Sequence, residues 1–168
     1  MYNEVQCDFC CYLKEIEQMI SFDKRMTDLY NKYDGKNHAL LETFYDSKIV
    51  FIDPFVTISG LSELKNYYEK LYSQVKGIKF DFTDIYQFAN KATASWEMTT
   101  SIIGLNNGQP FKLQGVSLFA LNDSQLVIYH RDYFDAGEMI YEKIPIFGLL
   151  TKMIKKRIQH QHISDEAR

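Results

Sequence analysis

The segment ATASWEMTTSII, residues 92–103, decides the fold, because apolar and polar side chains alternate along its length. Alternate side chains of a β-strand point to opposite faces of the sheet. One face of this strand carries Ala92, Ala94, Trp96, Met98, Thr100 and Ile102. The other face carries Thr93, Ser95, Glu97, Thr99 and Ser101. A strand with one apolar and one polar face is typical of an antiparallel sheet that is covered on a single side.

Further strands with the same period of two flank this segment. We predict them over 79–89, 111–121 and 126–134. Asn106-Asn107-Gly108 is a hairpin signal, because Asn and Gly adopt left-handed backbone geometry most readily. In the last strand, alternation predicts that Ile128, His130, Asp132 and Phe134 share one face, opposite Val127, Tyr129, Arg131 and Tyr133.

Helical patterns precede this meander. We predict a helix from Asp23 to Tyr33, a short helix near residues 40–45, and a longer one over 61–75 with apolar residues at spacings of three and four. A short strand over 48–52 ends at Asp53-Pro54, since the residue before proline favours extended geometry. Helices followed by antiparallel strands are typical of the α+β class. We expect a cone-shaped, curved antiparallel sheet wrapped around the N-terminal helices.

Composition limits the function classes. A chain of 168 residues predicts one main domain, and a net charge of −3 argues against a nucleic-acid partner. The 12 Phe, 12 Tyr and 1 Trp are an unusual number of large rings for this length. Such a composition favours a thick core or a ring-lined pocket for a small apolar organic molecule.

The two ends of the chain are expected to lie outside this domain. Residues 1–20 form an extension with Cys7, Cys10 and Cys11, too few ligands for a structural zinc site, so we expect reduced thiols, no metal and no cofactor. An amphipathic helix over 144–158 and a tail over 159–168 follow the domain. The basic side of that helix fits a membrane surface, although packing on the domain is favoured. Without a signal-peptide or membrane-spanning pattern, we expect a cytoplasmic protein.

Three acid–base residues stand out, each with a structural alternative. Asp53 becomes a usable general base if it is buried, but it also suits a cap of the strand-to-loop turn. His130 and Asp132 are same-face neighbours that can flank a ligand, or they form a structural pair within the sheet.

Three motifs resemble the nuclear transport factor 2-like superfamily, which includes ketosteroid isomerases and SnoaL-like proteins. Residues 44–54 (FYDSKIVFIDP) resemble its helix end, short strand and Asp-Pro entry, and 60–64 (GLSEL) resemble the start of its third helix. Residues 130–135 (HRDYFD) resemble its last strand. The resemblance spans residues 23–143 and implies a SnoaL-like domain over 21–143.

The resemblance also implies roles for particular residues. Asp53 falls at the general-base position of ketosteroid isomerases, and Asp132 at an acidic position with which epoxide hydrolases activate water. Tyr30 lies near the helical tyrosine of the isomerases. The middle strand carries Trp96, Met98 and Thr100 in place of the hydrolases' Arg-x-Asp pair, so neither specific reaction is implied.

We therefore predict a pocket with Asp53, His130 and Asp132 as catalytic candidates and Tyr30, Phe51, Trp96 and Met98 as ligand-binding candidates. Isomerase, cyclase, hydratase or hydrolase chemistry without a cofactor fits these groups. The alternative is a non-catalytic accessory or protein-interaction domain. In either case the outer sheet face, with Arg131 and Tyr133, predicts a homodimer.

Overall fold

The computed structural model describes residues 21–139, together with Met153 and Lys156. The predicted 1–20 extension with its three cysteines and the 159–168 tail lie outside the described residues. Of the predicted 144–158 helix, only Met153 and Lys156 are described. Both are helical and exposed.

Six strands form one open sheet. They are β1 (Tyr45–Ile52), β2 (Thr57–Ser59), β3 (Val75–Phe88), β4 (Lys91–Ile102), β5 (Phe111–Leu121) and β6 (Val127–Phe134). Their order in the sheet is β2-β1-β6-β5-β4-β3. Every neighbouring pair is antiparallel except β1 and β6, which run parallel. The predicted α+β class and curved sheet are confirmed, with one parallel pair that alternation alone does not reveal.

Between residues 21 and 139 there are four α-helices: α1 (Phe22–Lys32), α2 (Ala39–Glu42), α3 (Leu61–Ser73) and α4 (Ala136–Met139). Helix α1 buries Phe22, Met26 and Leu29, which recur at spacings of four and three along one side. It contacts β3, whereas α3 contacts β1, β2 and β3. The two long helices therefore lie against the same face of the sheet, and the sheet wraps around them.

The sheet bends at bulges. At two of its register shifts the extra residues are Thr83 of β3 and Ile128 of β6, neither of which has a partner in the strand concerned. An extra residue on one strand bends that strand and increases its twist, which is how a long sheet curls around helices.

The alternation predicted for β4 is confirmed, because Ala92, Ala94, Trp96, Met98 and Thr100 are all buried. The alternation predicted for the start of β6 is wrong. Val127 is fully buried and Ile128 is 37% exposed, the reverse of the prediction. A bulge in β6 is the cause, since Leu121 pairs with Val127 and Ala120 with Tyr129, which leaves Ile128 as an extra residue without a partner in β5. Farther along, His130 and Asp132 recover the predicted inward face.

Candidate functional site

A cavity of about 150 Å³ lies between the long helices and the inner face of the sheet. Half of the residues that line it are aromatic, and most of the others are aliphatic. An apolar cavity of this size accommodates a molecule about as large as benzene. The aromatic excess in the composition therefore lines a pocket as well as filling a core.

Asp132 of β6 is held on the cavity wall by two side chains. Its Oδ1 lies 2.9 Å from His130 Nε2 and also accepts a hydrogen bond from the Ser117 hydroxyl. Ser117 of β5 is the register partner of Asp132, which places the two side chains next to each other. Among the described residues, Asp132 Oδ2 has no hydrogen-bond partner. One carboxylate oxygen is therefore fixed by the protein while the other remains available to a ligand.

His130 lies directly behind Asp132 and is fully buried. Its Nδ1 is 2.9 Å from the Tyr45 hydroxyl. The Tyr30 and Tyr68 side chains interact electrostatically with Tyr45.

The carboxylate fixes the direction of one of these bonds. A carboxylate oxygen accepts, so His130 Nε2 donates to Asp132 Oδ1. Asp132 is therefore the end of a chain of hydrogen-bonded side chains that runs from Tyr45 through His130.

Burial is the largest cause that raises the pKa of Tyr30, Tyr45 and Tyr68. The negative charge of Asp132 raises all three further. These hydroxyls therefore stay protonated across the physiological pH range and serve as neutral hydrogen-bond donors.

Asp53 follows the last residue of β1 and lies on the same cavity wall. Its Oδ1 accepts hydrogen bonds from the backbone amides of Phe55 and Val56, at 2.7 and 2.8 Å. Its Oδ2 accepts one from the Tyr67 hydroxyl at 2.8 Å. The two interpretations of Asp53 are thus compatible, because one oxygen caps the turn and the other belongs to the cavity.

Parallel pairing brings the two carboxylates together. Phe51 pairs with His130 and Ile52 with Arg131, so the next residues along these strands are Asp53 and Asp132. Neighbouring strands lie about 4.8 Å apart. Residues far apart in the sequence therefore meet at one end of β1 and β6.

Trp96 lies flat against β5 because its register partner is Gly115. A Cβ atom at position 115 would lie 2.3 Å from two carbons of the indole ring. In this position, Trp96 Nε1 donates to Ser117 Oγ at 2.8 Å. The indole therefore belongs to the same hydrogen-bonded group as Asp132.

The structure places six of the seven predicted site residues on the cavity wall: Tyr30, Phe51, Asp53, Trp96, Met98 and Asp132. His130 is behind the wall and reaches the cavity through Asp132. Their roles in binding or catalysis remain predictions.

Several participants were missed by the sequence analysis. Tyr67, Tyr68 and Tyr72 of α3 all line the cavity, although helical spacing alone does not distinguish a core residue from a pocket residue. Ser117 and Gly115 carried no signal, because a small residue in a strand becomes informative only when its cross-strand partner is known. Within the described part of the chain, no group of three or more His, Cys, Asp and Glu side chains is arranged to hold a metal ion.

Comparison with known proteins gives the family. Residues 24–129 match the SnoaL-like domain family, whereas no curated protein matches the chain. None of the helices in the described part of the chain is long and apolar enough to cross a membrane.

Three solved structures illustrate the similarity of fold. A candidate SnoaL-like polyketide cyclase from Jannaschia sp. CCS1 has a TM-score of 0.63 and 14% identity, over 73% of this chain and 90% of that one. A protein with a ketosteroid isomerase-like fold from Catenulispora acidiphila DSM 44928, in complex with trimethylamine, has a TM-score of 0.62 and 15% identity, over 71% and 91%. TerC, co-crystallised with polyporic acid, has a TM-score of 0.61 and 10% identity, over 70% and 94%. The chain belongs to the SnoaL-like domain family and has the nuclear transport factor 2-like fold.

Proposed function

We propose that the protein binds a small, largely apolar organic molecule in this cavity and moves a proton on it. One observation carries the proposal: Asp53 and Asp132 both line a cavity whose other walls are mainly rings and aliphatic side chains. In a non-catalytic accessory domain, the alternative, Asp53 serves only as a turn cap and Asp132 only as a partner of His130 and Ser117, which leaves Asp132 Oδ2 without a role. Burying such groups costs free energy, which is the usual signature of a functional site.

Asp132 is the base in this proposal. Its Oδ2 takes a proton from a carbon or hydroxyl of the ligand and returns it to a different atom. The ligand is then isomerised or cyclised with no net gain or loss of protons. His130 and Ser117 orient the carboxylate through Oδ1. We assign both as positioning residues, because each donates its proton to Asp132 and neither has a proton left for the ligand.

Asp53 and Tyr67 orient the ligand. The Tyr67 hydroxyl donates its hydrogen bond to Asp53 Oδ2, and that oxygen can accept one more hydrogen bond. A second polar hydrogen of the ligand, besides the one that reaches Asp132, is the complementary donor. Such a contact fixes which atom of the ligand lies next to Asp132.

Binding is measurable without knowing the reaction, because Trp96 is the single tryptophan of the chain and lines the cavity. We expect small neutral ring compounds with one hydroxyl, such as cyclohexanol, to change its emission with a saturable dependence on concentration. Asp132→Asn should weaken binding of the hydroxyl compound by about tenfold, the usual effect of losing a hydrogen bond to a charged group.

The matched control is Asp84→Asn, which removes the same charge from an exposed position on β3 outside the cavity. It should bind the compound as the wild type does. A wild-type emission that no ring compound alters would contradict a ligand-binding function.

The outer sheet face supports a second proposal, that two copies of the chain form a homodimer. This face exposes Val116, Leu118, Ile128 and Tyr133, which are 37–46% exposed and lie on the adjacent strands β5 and β6. A contiguous apolar surface of this kind is typical of an interface. We expect a dimer in sedimentation at tens of micromolar, and a monomer for Leu118→Asp. Ile103→Asp, at an exposed position outside this face, is the control.

A further inference from the structure

The charges around the cavity are unbalanced. Its lining residues include two carboxylates, Asp53 and Asp132, and no Lys, Arg or His among the described residues. Two arginines on elements that line the cavity are engaged elsewhere. Arg25 donates to the Gln125 carbonyl, and Arg131 lies over the Tyr133 ring on the outer face. The described part of the protein therefore brings no positive side chain into contact with the cavity.

His130 lies behind Asp132 and does not line the cavity. Its Nε2 donates to Asp132 Oδ1, and no described residue gives Asp132 Oδ2 a hydrogen bond. One carboxylate oxygen therefore remains for a positively charged group of a ligand.

The effect of these charges extends across the cavity. Burial is the main cause of the raised pKa of Tyr67, and both Asp53 and Asp132 add to it. Asp132 also raises the pKa of Tyr30 and Tyr68, which lie on the helix side of the cavity. Groups on both sides of the space therefore experience a negative potential.

Aromatic rings add to this preference. Phe51, Phe80, Phe82 and Trp96 all line the cavity, and the face of an aromatic ring carries partial negative charge. Rings attract a cation most strongly where water is excluded. An anionic ligand would instead meet two carboxylates in a low-dielectric space, which is strongly unfavourable.

We propose that the ligand of this cavity is a small organic cation, an ammonium compound with apolar substituents. This inference rests on the proposed ligand-binding function and specifies its substrate class. The charged nitrogen lies next to the two carboxylates at the ends of β1 and β6. The apolar substituents fill the ring-lined remainder of the cavity. A bound cation also relieves the repulsion between the two carboxylates.

Three probes of matched shape test the charge preference: choline, its neutral counterpart 3,3-dimethyl-1-butanol, and the anionic 3,3-dimethylbutanoate. Each is titrated against the wild-type protein, with Trp96 emission and calorimetry as the readouts. We expect choline to bind about tenfold more tightly than the alcohol, the effect of a contact with a charged partner. The anion should bind more weakly than either.

The variants Asp53→Asn and Asp132→Asn locate the preference. Each should reduce the advantage of choline over the alcohol, whereas the control Asp84→Asn should preserve it. Thermal unfolding of each variant checks the fold, and the three-probe comparison on the wild type stands even if an Asn variant does not fold.

The outcomes separate the two proposals. If the alcohol binds as tightly as choline or more tightly, the cation proposal is overturned and the proposed ligand-binding function stands. If none of the three probes binds, both fail. If choline is preferred equally in both Asn variants, the two carboxylates are not its recognition site and the proposal is wrong.

Discussion

Gly115 determines where the single tryptophan lies. Trp96 occupies the volume that a side chain at position 115 would need, and from there its Nε1 reaches Ser117 and, through it, Asp132. A residue without a side chain on β5 thus helps to position, through Trp96 of β4, a carboxylate on the neighbouring strand β6. We interpret Gly115 as a positioning residue of the site.

Gly115→Ala should therefore displace the indole. We expect a loss of about 1–3 kcal/mol of unfolding free energy, the usual cost of an overpacked core, and a shift of Trp96 emission to longer wavelength. Chemical denaturation and fluorescence measure the two effects. Gly77→Ala is the control, because a Cβ at position 77 meets no atom within 4 Å. An unchanged emission spectrum in Gly115→Ala would contradict this role.

Ionisable residues within or next to predicted strands were the most informative about the site. Asp53 was recognisable from its Asp-Pro setting, and His130 and Asp132 from their spacing of two. Their hydrogen-bond partners were not, because Tyr45, Tyr67 and Ser117 reach the site through pairings between distant segments. The pattern of polar and apolar residues predicts which side chains share one face of a strand or helix. A hydrogen bond between two elements is predictable only when their relative register is known.

Strand β6 shows how a partner strand changes the interpretation of a sequence. Simple alternation places Ile128 inside and Val127 outside, and the extra residue in β6 at its register shift against β5 reverses both. Which residues of β4 point inward was predictable, because β4 has no register shift against β5. The parallel pairing of β1 and β6 was equally hidden, since alternation gives no information on strand direction.

A pair of threonine substitutions tests the phase of β6. Val127→Thr keeps the side-chain volume but buries a hydroxyl at a fully buried position, so we expect a loss of about 1–3 kcal/mol of stability. Ile128→Thr changes a partly exposed side chain and should stay within about 0.5 kcal/mol of the wild type. Urea unfolding measures both. The opposite ranking would show that the bulge is misplaced.

For the molecule as a whole, the buried tyrosines predict sensitivity to alkaline pH. Burial is the main cause that raises the pKa of Tyr33 to about 12, with Asp34 and Glu69 adding to it. The ordinary value is 10.0, so between these values the unfolded chain loses this proton while the folded protein keeps it. The contribution of Tyr33 is complete below pH 10 and is lost as the pH rises towards 12.

Tyr33→Phe isolates that contribution. Its unfolding free energy should fall less steeply than that of the wild type between pH 10 and 12, by up to about 1.4 kcal/mol per pH unit. Denaturant unfolding at several pH values measures the slopes. Tyr86→Phe, at a position 68% exposed, should follow the wild-type slope. Parallel curves for Tyr33→Phe and the wild type would contradict the assignment.

The central claim is that the cavity between the helices and the sheet receives a ligand next to Asp132. A crystal structure of the protein soaked with 3,3-dimethyl-1-butanol tests it most directly. The account predicts density for the alcohol among the aromatic rings, with its hydroxyl about 2.8 Å from Asp132 Oδ2. A cavity closed by its own side chains, or an alcohol bound only elsewhere on the molecule, would contradict it.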